Sequence, residues 1–367
     1  MAALLLYVHI PFCHRVCPYC SFYKHTPGGT SIGGFIDALA AEARERIPLA
    51  AAAPRTLYLG GGTPSMLSPG HLRGLFAALH GVVDFGALDE VTLEANPATF
   101  DAAKARLFRE LGVTRVSLGI QSFDPQVLAT LGREHTVAQA LESVAILRHA
   151  GIAAVNIDLM FSIPGQSLGT WQTTLEQAVA LDPEHISAYN LTYEEDTAFF
   201  ESLRRGEMRD DEDHNAEFFH LADTLLSAAG FDHYETSNYA RPGRHSSHNS
   251  GYWRGEDYLG LGPSAVSTLN DVRSKNVADT ASYVAQVGAF GHALAEAETL
   301  DPEARRLERI ALGLRTGEGI ALAWLTPEGL DRAGHLAAAG LLRLTEDRLV
   351  LIHHGRALVD PIAAELV

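Results

Sequence analysis

This chain has little cysteine, a shortage of positive charge and no long apolar run, and each shortage excludes a class of protein. Its 367 residues include three cysteines, an odd number that argues against a disulfide scaffold. Lysine and arginine total 28 against 45 aspartates and glutamates, which gives a formal net charge of −17. That deficit argues against sequence-independent nucleic-acid binding and against anionic membrane surfaces, since both depend on cationic side chains. No run approaches the roughly 18 apolar residues of a spanning helix.

The beginning of the chain bears on where the protein works. Residues 1–8 are apolar but lack the basic leader and the cleavage site of a secretory signal. Reduced thiols and the lack of an export signal both favour the cytoplasm. We therefore expect a cytoplasmic protein of two or three domains, or one barrel of about 200–250 residues with an appendage.

Short apolar runs alternate with amphipathic runs through the first half of the chain. One amphipathic helix is predicted over 33–47, Asp101 caps another, and Gly151 closes a third. This alternation favours parallel strands joined by crossover helices, but it does not separate a partial barrel from a doubly wound sheet. The predicted strands are Leu5–Ile10, Thr56–Gly60, Glu90–Ala95, Arg115–Gly119, Ala154–Met160 and His185–Leu191.

The second half of the chain follows a different pattern. Residues 230–280 are rich in Gly, Ser, Asn, His and Tyr and are predicted to be mostly loop. In the tail, two helical patterns precede a hairpin-like run at 341–352 and a last helix. This order resembles a winged helix, which in an acidic chain we interpret as a packing module and not as a DNA reader. The predicted domains are a core barrel at 1–235, a loop-rich segment at 236–300 and a winged-helix-like domain at 301–367.

The three cysteines fall within one short stretch, at Cys13, Cys17 and Cys20. A cubane iron–sulfur cluster normally takes four thiolates, so three would leave one iron open to a substrate or cofactor. The alternative is a zinc site completed by a nearby histidine; the candidates are His9, His14 and His25. Three inert cysteines packed so closely are a weaker interpretation.

Polar groups recur where the predicted strands end, which in parallel folds is the end that carries function. Gly61, Gly62 and Thr63 follow the second strand, and the exposed backbone N–H groups of such a loop bind carboxylates. A tight turn is the alternative for the glycines, and a solvated surface residue is the alternative for each polar side chain. The polar residues that follow or end the later predicted strands are Glu94, Gln121, Arg133 and Asp158.

The thiol stretch and its flanks resemble the radical S-adenosylmethionine (SAM) superfamily, and Tyr19 before the third cysteine fits that resemblance. Nearly the whole chain is similar to the oxygen-independent coproporphyrinogen III oxidase family, including its haem-chaperone branch of the HemW type. The resemblance implies a partial (β/α)6 barrel with a C-terminal α+β extension. It also implies a 4Fe–4S cluster on the three cysteines, with SAM on the open iron. The implied SAM contacts are Tyr7, Tyr19, Gly61, Gly62, Thr63, Glu94, Gln121, Arg133 and Asp158.

Three features favour the haem-chaperone branch over the oxidase. Phe22 stands where the oxidase has a fourth cysteine, and twelve residues precede Cys13 where the oxidase has a long extension. Residues 248–253 match the HNxxYW motif of the chaperone branch. An imidazole is a good axial iron ligand, so we predict haem binding at His248, with His245 as the competing ligand. The alternative is a loop whose aromatic rings are simply buried. Two departures from relatives are Val266 in place of a histidine and Ser162 in place of a glycine.

The expected function is therefore a haem chaperone that delivers haem to recipient haem proteins, including membrane-associated ones. The expected partners also include an electron donor for the cluster, and a homodimer is left open. The alternative is the oxidase, which decarboxylates two propionates of coproporphyrinogen III. A third interpretation is a radical SAM enzyme with an unrelated substrate.

Overall fold

The computed structural model describes residues 4–352 and 354–367. Residues 1–3, which open the apolar N-terminal segment, and residue 353 lie outside the described residues. Six parallel strands alternate with helices in the first half, as predicted. The strands are β1 (Leu4–Ile10), β2 (Pro54–Gly61), β3 (Glu90–Ala95), β4 (Arg115–Gln121), β5 (Ala154–Phe161) and β6 (His185–Asn190). The helices between them are α1 (Ile32–Arg46), α2 (Pro69–His80), α3 (Ala102–Glu110), α4 (Pro125–Thr130), α5 (Val137–Ala150) and α6 (Leu168–Ala180).

Two sequence signals act as predicted, because Asp101 begins α3 and Gly151 ends α5. The Asp101 carboxylate accepts a hydrogen bond from the Lys104 N–H at 2.8 Å and caps α3. Thr136 and Gln139 form a reciprocal capping box at the start of α5. Gly151 ends α5 in the left-handed conformation at φ 76°, which glycine adopts without steric cost. The strands between the helices are buried on both faces, as crossover helices on a parallel sheet require.

The stretch predicted to be mostly loop, 230–280, contains five short strands and a helix. Its strands have three to five residues and few apolar runs, so they gave no periodic signal. The elements from residue 191 to 300 are α7 (Ala198–Arg204), α8 (Glu212–Ala228), β7 (Asp232–Glu235), β8 (Asn238–Ala240), α9 (Ser247–Trp253), β9 (Tyr258–Leu261), β10 (Val266–Leu269), β11 (Val272–Asn276), α10 (Thr280–Phe290) and β12 (Leu294–Thr299).

One sheet joins the strands of both halves, in the order β12-β11-β10-β9-β1-β2-β3-β4-β5-β6-β8-β7. Strand β9 runs parallel to β1, with Leu5 opposite Tyr258, whereas β8 runs antiparallel to β6. Helix α9 lies in the chain between β8 and β9, and it contacts the beginning of β2. The arrangement is the expected partial barrel, and α9 lies against the amino ends of its strands.

The C-terminal elements form a second layer with its own core. A three-stranded antiparallel sheet has the order β13-β15-β14. Its apolar cluster includes Ile310, Leu336, Leu349 and Ile362. This helix–helix–hairpin arrangement confirms the winged-helix-like extension. Its elements are α11 (Pro302–Gly313), β13 (Ile320–Ala321), α12 (Pro327–Ala338), β14 (Leu342–Leu344), β15 (Arg348–Leu351), α13 (His354–Ala357) and α14 (Val359–Leu366).

Membrane-spanning helices were sought in the same part of the chain. Within residues 4–352 and 354–367, no helix combines the length and the apolar character that crossing a bilayer requires.

Candidate functional site

The three thiols lie on the loop that leaves the carboxyl end of β1. Cys13, Cys17 and Cys20 are free and partly buried. Two backbone hydrogen bonds close the base of this loop: the Cys13 N–H donates to the His25 carbonyl at 3.0 Å, and the His25 N–H donates to the Pro11 carbonyl at 2.8 Å. Three thiols held on one short, anchored loop are the donor set that suits a 4Fe–4S cluster with one open iron.

The zinc alternative fits this loop less well. Among residues 4–352 and 354–367, no group of three or more Cys, His, Asp and Glu side chains is arranged to hold a single metal ion. Two candidate imidazoles are also engaged elsewhere. His9 bonds the Tyr7 hydroxyl at 2.9 Å and the Tyr23 carbonyl at 2.7 Å, and His25 bonds the Thr280 hydroxyl at 2.8 Å. A tetrahedral zinc site needs its ligands at about 2.0–2.3 Å from one ion.

Polar groups surround the thiols. The Thr63 hydroxyl donates to the Cys13 sulfur at 3.5 Å, and the Arg133 guanidinium donates to the Cys17 sulfur at 3.7 Å. The Lys24 ammonium donates to the Cys20 carbonyl. Burial raises the pKa of the Cys13 and Cys20 thiols, so cluster assembly has to displace their protons. The two cations offset the negative charge that the thiolates then carry.

The glycine loop at the end of β2 packs directly on the thiol loop. The Gly62 N–H donates to the Ile10 carbonyl and the Thr63 N–H donates to the Phe12 carbonyl, both at 2.8 Å. A Cβ on Gly62 would lie 2.6 Å from the Phe12 carbonyl oxygen, so only glycine permits this approach. Gly61 has φ 103°, in the region that favours glycine. A backbone contact therefore explains Gly62 and the positive φ explains Gly61, and the contact of both glycines with SAM stays a prediction.

Two predicted carboxylates face the interior of the barrel. Glu94 on β3 accepts from the Tyr58 hydroxyl at 2.7 Å and from the Gly61 N–H at 3.0 Å. Asp158 on β5 accepts from the Ser117 hydroxyl at 2.9 Å. Burial raises the pKa of Glu94 to about 7 and also raises the pKa of Asp158. Buried carboxyl groups with raised pKa values mark candidate binding sites.

Arg133 and Gln121 meet next to these carboxylates. The Arg133 guanidinium donates to the Gly119 carbonyl at 2.7 Å and to the Asn96 side-chain oxygen. Gln121 has φ 68°, and the pairing of β4 with β5 shifts register at this point. A positive φ at a residue other than glycine is a strained conformation that clusters at functional sites. Ser162, which replaces a glycine of relatives, is also left-handed, at φ 60°.

The two predicted tyrosines have different surroundings. Tyr7 lies on β1 with its ring centroid 6.1 Å from that of Tyr58, and burial raises its pKa well above the usual value. Tyr19 packs against Phe199, with ring centroids 6.2 Å apart, and burial raises its pKa as well. The structure thus brings Tyr7 to the carboxylates and places Tyr19 against an apolar cluster on the other side of the thiol loop.

The predicted haem ligand lies at the opposite end of the strands. His248 lies in the first turn of α9 and is 1% exposed. Its Nδ1 bonds the Thr56 hydroxyl at 2.7 Å, while its Nε2 has no hydrogen-bond partner among the described residues. Burial lowers the pKa of His248 to about 3, so the imidazole is neutral. The competing His245 is partly exposed and stacks on Tyr234, with centroids 4.1 Å apart.

Sequence reasoning missed the residues that hold α9 in place. Glu90, at the start of β3, accepts from Arg115 Nε at 2.9 Å, from the Ser246 hydroxyl at 3.1 Å and from the N–H groups of Ser247 and His248. A glutamate at the first position of a buried strand was the available signal. That signal did not identify a partner for Glu90, because Ser246 lies 156 residues further along the chain.

Comparisons with known proteins show the family to which the chain belongs. The model of the radical SAM superfamily matches residues 7–178. The chain is 38% identical over 371 residues to a protein of Mycobacterium tuberculosis named Heme chaperone HemW, covering 99% of this chain and 94% of that protein. It is 31% identical to the Bacillus subtilis protein of the same name, with 97% of each covered. A mitochondrial radical SAM domain-containing protein 1 of Mus musculus is 33% identical over 383 residues, which cover 99% of this chain and 87% of that protein.

The fold has a close counterpart among solved structures. The coproporphyrinogen III oxidase HemN of Escherichia coli superposes with a TM-score of 0.85 at 24% identity, covering all of this chain and 90% of that one. This likeness concerns the fold. Sequence identity over nearly the full length lies with the HemW proteins, and the chain therefore belongs to the HemW heme chaperone family within the radical SAM superfamily.

Proposed function

We propose that this chain is a haem chaperone that binds a 4Fe–4S cluster, SAM and haem and delivers haem to recipient haem proteins. The observation that carries the proposal is the nearly full-length identity of 31–38% to HemW proteins. The HNxxYW run at 248–253 and the place of Phe22 support the same branch.

The residues at the carboxyl end of the strands suit a cluster and SAM. When bound, these two cofactors supply one-electron chemistry at a carbon–sulfur bond. Cys13, Cys17 and Cys20 would hold the cluster. Glu94 and Asp158 would accept hydrogen bonds from the ribose or the amino group of SAM, because both carboxyls are buried and neither has a cationic partner at hydrogen-bond distance. The remaining proposed SAM contacts are Tyr7, Tyr19, Gly61, Gly62, Thr63, Gln121 and Arg133.

His248 is the proposed axial ligand of haem. What supports it is the state of its two ring nitrogens. Nδ1 is fixed by Thr56, and Nε2 is buried without a partner in the described part of the chain. Metal-binding histidines commonly have one nitrogen oriented by a hydrogen bond while the other is left for the metal. Since His248 is 1% exposed, haem has to reach it by displacing the neighbouring side chains of α9.

The experiment is an anaerobic haem titration of the cluster-reconstituted protein, followed in the Soret band. The wild type, His248→Ala and His245→Ala are compared, with urea unfolding to confirm that each variant is folded. Saturable wild-type binding is expected, weakened roughly tenfold or more in His248→Ala and little changed in His245→Ala. The reverse pattern would place the ligand at His245.

If the wild type binds no haem, the proposed chaperone function is wrong and the oxidase becomes the alternative to test. The discriminating assay is then decarboxylation of coproporphyrinogen III with a reductant and SAM. Phe22, in place of a fourth cysteine, is the residue that argues against that activity.

The proposal extends to partners, location and domain organisation. We place the protein in the cytoplasm, with recipients that include membrane-associated haem proteins and with an electron donor for the cluster. The net charge of −17 supports the expectation of no nucleic-acid partner. A homodimer remains a prediction. The separate apolar core supports a C-terminal domain at 301–367, next to the proposed regions 1–235 and 236–300.

A further inference from the structure

A cavity of about 410 Å³ lies beside the thiol loop, between β1 and the strands β9, β10 and β11. Its volume is in the range of pockets that hold small organic molecules and cofactors, about 300–1,000 Å³. Its walls are mainly aromatic. The aromatic side chains that line it are Tyr7, Phe22, Tyr23, Tyr252 and Tyr258.

The charge of this cavity differs from that of the chain. Lys275 on β11 is a lining residue, and among the described lining residues there is no aspartate or glutamate. Within the described chain, Lys275 also forms no ion pair. His9 lines the cavity too, but burial lowers its pKa to about 4, so it is neutral. Glu296 is the cross-strand neighbour of Lys275 on β12 but does not line the cavity. A single cation among the lining residues, in a chain of net charge −17, suits an anionic ligand.

Phe22 adds an unpaired aromatic surface at the edge of the cavity. It follows Cys20 by two residues and is 67% exposed. Tyr252, another lining residue, belongs to the HNxxYW run, and its ring meets that of His248 edge-on with centroids 4.8 Å apart. The predicted haem ligand therefore lies one ring behind the wall of this cavity.

We propose that this cavity holds the haem cargo, with the macrocycle packed on Phe22 and the tyrosines and with a propionate on Lys275. A flat, aromatic, apolar dianion matches the aromatic walls and the single cation. The inference rests on the proposed chaperone function and adds the location of the cargo. It places haem next to the cluster loop, because Phe22 and Cys20 share that loop.

The test is a Soret titration of the reconstituted protein with haem and with haem dimethyl ester, whose propionates carry no charge. The variants are Phe22→Ala and Lys275→Gln. Matched controls are Phe290→Ala, at a phenylalanine that is 69% exposed, and Arg343→Gln, at an exposed arginine on β14. Iron and sulfide contents confirm that the substitution near Cys20 leaves the cluster in place.

Lys275→Gln is expected to weaken haem binding about tenfold, the effect of losing a charge-assisted hydrogen bond. The same substitution should leave binding of the dimethyl ester unchanged. Phe22→Ala is expected to weaken both ligands about fivefold or more, since it removes aromatic packing and no charge. The two controls should match the wild type with both ligands.

Three contrary results are distinguishable. If the wild type binds haem and neither variant differs from its control, the cavity is not the cargo site and the chaperone function stands. If Lys275→Gln weakens haem and its ester equally, the lysine does not pair with a propionate and the proposed orientation is wrong. If the wild type binds no haem, the proposed function fails and the cargo site fails with it.

Discussion

Strand β3 carries a glutamate near each end, and the two are held in opposite ways. Glu90, at the amino end, is 5% exposed and accepts hydrogen bonds from Arg115 and from the beginning of α9. Glu94, near the carboxyl end, accepts from Tyr58 and from the Gly61 N–H, and no cation pairs with it among the described residues. Burial alone would raise the pKa of both groups.

The pKa values of Glu90 and Glu94 shift in opposite directions because their hydrogen-bond partners differ. At Glu90 the effect of burial is more than offset by Arg115 and the backbone N–H groups, which hold its pKa below the usual value. At Glu94 burial prevails and raises the pKa to about 7. The amino end of the barrel is thus closed by its own side chains, whereas the carboxyl end keeps hydrogen-bonding capacity for a ligand.

The largest effect is expected at the thiols. Cys13→Ala should abolish cluster assembly, because two thiolates do not hold a cubane cluster that normally takes four ligands. Iron and sulfide are measured after anaerobic reconstitution, with His14→Ala in the same loop as the control. Unchanged iron and sulfide in Cys13→Ala would refute the assignment of the carboxyl end as the cluster site.

The next largest effect is expected at Glu90, at the amino end of the barrel. Glu90→Gln should lower the free energy of unfolding by roughly 3–5 kcal/mol, since it leaves Arg115 buried without its counter-charge. The control is Glu110→Gln, which breaks the exposed pair with Arg73 and should cost at most about 1 kcal/mol. Urea unfolding at neutral pH measures both. A loss no greater than that of the control would show that Glu90 does not secure α9.

The dependence on pH should have opposite signs at the two ends. The contribution of Glu90 is present above its unfolded pKa of about 4.3 and is lost as the pH falls through its lower folded pKa. The contribution of Glu94 is present below about 4.3 and is lost as the pH rises through about 7.

The smallest of the expected effects is at Glu94, and it follows from the opposite pH dependence of the two glutamates. Glu94→Gln should remove roughly 2 kcal/mol of pH-dependent stability between about pH 5 and about pH 8, as measured by urea unfolding. Tyr58→Phe sharpens the test, because loss of its hydrogen bond to the ionised carboxylate should shift the Glu94 transition to higher pH. A pH profile that Glu94→Gln leaves unaltered would contradict the raised pKa.

The sequence predicted the parallel strands well, because each combines an apolar run with a clear boundary. Strand β3 was placed at its observed limits, and the others differ by one or two residues at an end. The short strands β7 to β11 were missed. Strands of three to five residues carry too little periodic signal, and β9 and β8 join the sheet through the distant partners β1 and β6.

The candidate site was predictable in part for the same reason. Groups that follow a strand, such as Glu94 and the glycine loop, are located once the strand is located. The position of His248 was not, because it depends on where α9 meets β2. Thr56 and His248 are 192 residues apart in the chain, and no local pattern links them. The aromatic cavity was missed as well, since its walls come from β1, α9 and β9 to β11.

The pairing of β1 with β9 also has a consequence for the newly made chain. Strand β2 is available to β1 early, but Tyr258 to Leu261, which cover its other edge, emerge about 250 residues later. At a synthesis rate of about 5–20 residues per second, that edge of β1 stays unpaired for roughly 13–50 s. The loop that carries the thiols leaves this same strand. A cluster can therefore be inserted into the complete barrel only after synthesis. During the interval before that, the nascent chain has an unpaired strand edge beside three reactive thiols.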